Sequence, residues 1–213
     1  MSVLSIKQLL KNEKNKFDAG AKEVLSKRQS WESFADLTVS LFNTVVDEGN
    51  KIQLFDYLYV SDSRKDNQTN KMPNFIMLYW GEHPVGTSTL ELNSQLAVEG
   101  SCTLTFSQSV FGDVICIMYP FKSELHKRNE EFFLLSSPHQ PEWYTEKRIL
   151  GFIKYFFSYS QTSSFIGKPD IIDRFRVGKL VIADKLKKAN LSKAIGSLAK
   201  SILSVVKKLN APA

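Results

Sequence analysis

A chain of 213 residues that is 43% hydrophobic and 23% charged is too apolar for disorder and long enough to bury a core unaided. Its two cysteines, Cys102 and Cys116, lack metal-type spacing and fit a reducing, cytoplasmic setting. The net charge of +6 is uneven: between Phe175 and Ala213 nine basic residues face one acid, a balance of +8 that leaves −2 for residues 1–174 and excludes a uniformly basic nucleic-acid coat.

Lys7 and Lys11 interrupt the first apolar stretch, so no secretory signal is expected. The longest runs free of Asp, Glu, Lys and Arg are 13 residues, Gly100–Gly112 and Tyr155–Gly167. Both fall short of the ~17–25 apolar residues a spanning helix needs. Residues 4–47 read as two helices. Ile6, Leu9, Leu10, Phe17, Ala21, Val24 and Leu25 recur at helical spacing in the first. A break is expected at Lys27–Ser30, with Ser30 capping a second helix that carries Trp31, Phe34, Leu37, Leu41, Val45 and Val46 and ends at Gly49.

Strand character begins at Ile52. The run Phe75–Trp80 is apolar or aromatic throughout, HPVG reads as a break, and Cys102, Leu104 and Phe106 alternate with Thr103, Thr105 and Ser107. SVFG suits a hairpin turn into the apolar run Val114–Tyr119. Continuous apolar runs predict strands covered on both faces, so 75–80 and 114–119 are expected at the centre of the sheet and 102–106 half-exposed. FFLLSS is a candidate edge strand, and Pro141 suits the first turn of an aromatic-rich helix. The predicted architecture is α+β: an antiparallel sheet of about four to six strands flanked by N-terminal helices and a C-terminal helical segment. Residues 1–189 form one domain in this reading, and 190–213 a cationic amphipathic helix packed on it.

No nucleotide, metal or catalytic motif stands out. His83, His126 and His139 sit singly, so no metal or cofactor is expected. Both cysteines lie in strand patterns, where a free thiol acts as a small hydrophobe rather than a nucleophile. The most site-like stretch is the charged connector 120–128, which leaves a central strand and presents Lys122, Ser123, Glu124 and His126. Arg174, set among Ile171, Ile172 and Phe175, is a second candidate and needs a partner, with Asp170 or Asp173 at hand. Tyr57, Tyr59, Tyr79 and Trp80 read as core.

At 100° per residue, Leu191, Ile195, Leu198, Ile202, Val205 and Leu209 share one side of the last segment, and Lys193, Lys200 and Lys207 the opposite one. Its flanks are Ser and Ala and it carries no aromatic, which favours a protein neighbour over lipid. Three functional classes are ranked on this basis. First is a non-enzymatic cytoplasmic binding protein acting through a protein–protein interface, with another protein or a second copy as partner. Second is an enzyme built at the connector 120–128. Third is a peripheral binder using the basic tail, on an anionic membrane before nucleic acid.

Overall fold

The computed structural model describes residues 3–52, 58–65, 74–87, 96–123 and 130–189. Expectations for Tyr57, Glu124, His126 and the last segment, with Lys193, Leu198, Lys200, Ile202 and Lys207, lie outside the described residues. The chain is α+β, with two antiparallel sheets. Helix α1 (Val3–Lys51) comes first. Then follow β1 (Leu58–Asp62), β2 (Phe75–Trp80), β3 (His83–Thr87), β4 (Leu96–Gly100), β5 (Thr103–Gln108), β6 (Val114–Tyr119), β7 (Lys122–Ser123) and β8 (Phe133–Leu134). A 3-10 turn (Pro141–Trp143) leads into α2 (Glu146–Ser163), and α3 is described over 171–189. The larger sheet has the order β1-β2-β5-β6-β8 and the smaller β3-β4-β7.

The larger sheet packs on one face. Register sets Ile76, Phe106 and Cys116 in one row and Leu78, Leu104 and Met118 in the next, and all six are fully buried. Both α1 and α2 cover that face, meeting at Phe106. Its ring lies 5.5 Å from Phe34 and 6.1 Å from Phe42 of α1, 6.0 Å from Phe152 of α2 and 5.6 Å from Tyr144. Trp80 extends the seam by stacking on Phe156 at 6.2 Å and donating its indole N–H to Ser160 Oγ at 2.8 Å. On the opposite face Met77, Tyr79, Ile115 and Ile117 are half-buried, and Tyr59 and Tyr119 are exposed.

This corrects two expectations. Strands 75–80 and 114–119 are internal, but only one face is fully buried while the other is half-buried around Thr105, and β5 lies in the middle of the sheet. The apolar residues on the second face keep company with Thr103, Thr105 and Ser107 of β5, which hold that surface at intermediate polarity. Tyr59 and Tyr79 pair there, 5.7 Å apart, rather than entering the core. HPVG is not a break either. It forms most of β3, whose register shift between Pro84 and Gly86 accommodates the proline.

The expected break at Lys27–Ser30 is also absent, since α1 runs through it as one helix of 49 residues, about 74 Å long. The polar residues there grip the β5–β6 turn instead of capping. Arg28 Nη2 donates to Val110 O at 2.6 Å, and Lys27 Nζ lies 3.1 Å from Asp113 and 2.9 Å from Glu23. Gly112 makes the grip possible. Its φ of +85° suits glycine, and a Cβ there would stand 2.6 Å from that of Lys27. Before this clamp α1 leaves the sheet behind, and after it Trp31, Phe34, Ala35, Thr38 and Phe42 enter the core.

A second tie fixes the start of the chain to β1. Arg64 donates to Asp62 and reaches Glu32 and Asp36 of α1 at 2.9 and 2.8 Å. At Asp62 burial works to raise the carboxyl, but the bonds from Arg64 outweigh it and hold the group below its ordinary 3.8. A depressed folded value means stabilisation present above the ordinary value and lost as pH falls through the folded one. Asp62→Asn should therefore flatten the acid limb of stability against pH, read by denaturant melts between neutrality and strong acid. An unchanged acid limb would remove Asp62 from it.

The one-sided core makes a second prediction. Phe106→Ala should cost about 3–5 kcal/mol, whereas Ile117→Ala, on the half-open face, should cost under ~2 kcal/mol. Equal losses in chemical denaturation would mean the second face is as dry as the first.

Candidate interaction surfaces

Glu99 and the polar groups around Cys116 are buried and tied into the fold. Glu99 of β4, 2% exposed, accepts Ser164 Oγ at 2.9 Å and the Phe165 amide at 2.9 Å, fastening the smaller sheet to the end of α2. His83 Nε2, opposite in register, lies 3.8 Å from the same carboxylate. The carboxylate stands between imidazole and hydroxyl, an order that does not make Ser164 a nucleophile. Ser164 Oγ also accepts the Ile166 amide, which completes a turn. No sequence signal exposes Glu99 beyond its place in the alternation of LAVEG.

Around Cys116 the network likewise closes on backbone. Tyr144 donates to Val114 O at 2.7 Å and accepts from Ser136 Oγ, which itself accepts the Cys116 amide. Burial pushes the Cys116 thiol well up, the reverse of what a nucleophile requires. His139 stacks on Trp143 at 4.0 Å, and burial lowers its pKa. Among the described residues no group of three or more His, Cys, Asp and Glu side chains is placed to hold a metal ion.

The candidates from the charged connector and from Arg174 sit on different elements. Lys122 is exposed and Ser123 half-buried on β7, opposite Gly100 and Glu99. Arg174 is exposed on α3, so it needs no buried partner, contrary to expectation. Asp170 and Asp173 bond each other's amides at the helix start instead, at 2.7 and 3.3 Å. The inward arginine is Arg176, which donates to Ser158 Oγ at 3.2 Å.

The helices hold what surface the core leaves unused. On α1, Ile6, Leu9, Leu10, Phe17 and Leu25 are exposed, Phe17 by 77%. A dent of 700 Å³ beside Phe17 is lined by Gly20, Ala21 and Val24, with Glu13, Lys16 and Arg28 at its rim. Leu10, Phe17, Val24 and Trp31 recur every seven residues, so the exposed seam lies in phase with the buried one.

On α3 the inner side guards the sheet edge. The Asp184 carboxylate accepts the Leu134 amide at 2.7 Å, Lys187 donates to Leu134 O at 3.1 Å, and Lys188 donates to Phe132 O at 2.7 Å. The free backbone of β8 is thereby covered by side chains. The outer side of α3 carries Ile171, Ile172, Phe175, Ile182 and Leu186, all exposed. Its spacing was visible in the sequence, but only the contacts separate the two sides.

The protein is thus an α+β chain with a one-faced main sheet and two exposed apolar helix surfaces. No protein-family model, curated protein or solved structure matches it. No helix among the described residues is long and apolar enough to cross a membrane.

The thiols give a direct check. Cys102 and Cys116 are free and fully buried, so a thiol reagent at neutral pH should label native protein slowly and denatured protein fast. Rapid stoichiometric labelling of either in the native state would contradict the inert reading.

Proposed function

We propose that this is a non-enzymatic interaction protein whose docking element is the first half of α1 and whose partner is a helix of another protein. The observation that carries it is the exposed seam of Leu10 and Phe17, continued by half-buried Val24, on a helix that has run past its own sheet. The stretch before the clamp is about 36 Å long. Most helix stability in proteins comes from packing an apolar face, and a seven-residue apolar recurrence is what a second helix fills. Small Gly20 and Ala21 beside Phe17 leave a hole for a partner's side chain. Between Ile6 and Leu25 five lysines stand against three carboxylates, which favours a partner with acidic flanks over a second copy. The cytoplasmic setting proposed with this reading rests on the two free, buried thiols.

Fluorescence anisotropy with two synthetic amphipathic peptides, one glutamate-flanked and one lysine-flanked, tests the proposal. The full chain should bind the acidic peptide selectively. Phe17→Glu should abolish that binding without changing the melting temperature, because Phe17 stands exposed outside the core. Gly20→Ala should raise helix content by about 0.5–1 kcal/mol, since its new Cβ meets nothing within 4 Å, yet weaken the peptide by filling the hole. Equal binding of both peptides, or unaltered affinity in Phe17→Glu, would sink the proposal. A lower melting temperature in Phe17→Glu would show that the seam serves the protein's own fold.

A further inference from the structure

The outer side of α3 differs from the α1 seam in shape and in charge. With Ile171 at zero and 100° per residue, Ile182, Phe175 and Leu186 fall within about 60°, and Ile172 at about 100°. Ile171 is 85% exposed, the other four are more than half exposed, and Phe165 and Ile166 just before the helix are exposed as well. These are bulky groups standing proud of the surface, with Gly178 and Ala183 the small residues among them. A dent lined by Asp170, Ile171, Ile172 and Arg174 lies at the start of the helix, and Phe175, Ile182 and Leu186 stand exposed beyond it.

The exposed charges along this ridge are cationic, apart from Asp170 at the start of the helix. Arg174, Lys179 and Lys185 flank it and are exposed, and Lys179 Nζ lies 4.4 Å over the Phe175 ring. The three carboxylates of the segment are all engaged elsewhere. Asp170 and Asp173 bond each other's amides, and Asp184 is buried against β8 with Lys188 at 2.9 Å. A protruding apolar ridge with phenylalanines, edged by cations except for Asp170 at its start, has the chemistry of a helix that lies in an anionic membrane interface.

We infer that the outer side of α3, with Phe165 and Ile166, docks on an anionic lipid surface. Phe175, Ile182 and Ile171 enter the acyl boundary, and Arg174, Lys179 and Lys185 meet the headgroups. This surface is separate from the α1 seam, and the two stand or fall independently.

The full chain would be sedimented with vesicles of phosphatidylcholine alone and of phosphatidylcholine with phosphatidylserine. Binding should require phosphatidylserine and weaken as salt is raised. The double variant Phe175→Glu/Ile182→Glu should lower partitioning on the order of tenfold or more, and so should Lys179→Glu/Lys185→Glu. Both should melt like the parent, because none of these four residues is buried. Phe175→Trp should shift its emission to the blue with phosphatidylserine vesicles only, which reports insertion at that position. Phe17→Glu should leave partitioning unchanged. Equal binding to both vesicle types would overturn the inference, as would unchanged partitioning in Phe175→Glu/Ile182→Glu. Failure to bind any vesicle, together with capture of the glutamate-flanked peptide that Phe175→Glu/Ile182→Glu abolishes, would assign the ridge to a protein instead.

Discussion

The Phe106 side chain is the contact on which the architecture depends. Two helices distant in sequence, together with Tyr144 from the turn between β8 and α2, converge on this one ring from the middle strand of the larger sheet. An aromatic offers its edge and its face to several neighbours at once, and four rings lie here at 5.5–6.1 Å. With α1 and α2 gathered on one face, the apolar residues of both helices are divided. Those in reach of the sheet are buried, and those beyond it face water.

That division leaves apolar helix surfaces open to water, and among the described residues no group of three or more His, Cys, Asp and Glu side chains is placed to hold a metal ion. Polar side chains that burial would make reactive are absorbed in fastening elements together. Glu99 ties the smaller sheet to the end of α2, Asp184 and two lysines cover the edge of β8, and Arg64 ties β1 to α1. Each is a charged group with several partners, the arrangement that makes burial of charge tolerable. The edge protection by α3 is notable because a short final strand would otherwise present unpaired backbone to other chains.

Much of this was legible in the sequence, and the misses share one cause. The α+β class, the edge strand at Phe133–Leu134 and the hairpin at 109–113 follow from local pattern, because each is decided by neighbouring residues. The continuity of α1 through Lys27–Ser30 does not, since Lys27 and Arg28 take partners 82 or more residues away, and such pairing leaves no local mark. The second face of the sheet was misjudged for the same reason. Hydrophobic runs alone predict full cover, yet β5 interleaves threonines and serine among them once the strands are in register. On α3 the residue types were visible, but two apolar sides on one helix can be told apart only by seeing which one touches β8.

The grip of the β5–β6 turn on α1 has a consequence for how the chain tolerates change in length. The clamp at Lys27 and Arg28 is a fixed bearing, and the helix is a shaft running through it. Each residue added between Val24 and Lys27 turns the outer part by about 100° relative to the sheet and moves it along by about 1.5 Å. One extra residue would aim Phe17 sideways. Seven would return it to within about 20° of its present heading, displaced outward by about 10 Å. Length here is counted in angle, and an insertion that leaves every contact of the core intact still decides where the outer seam points.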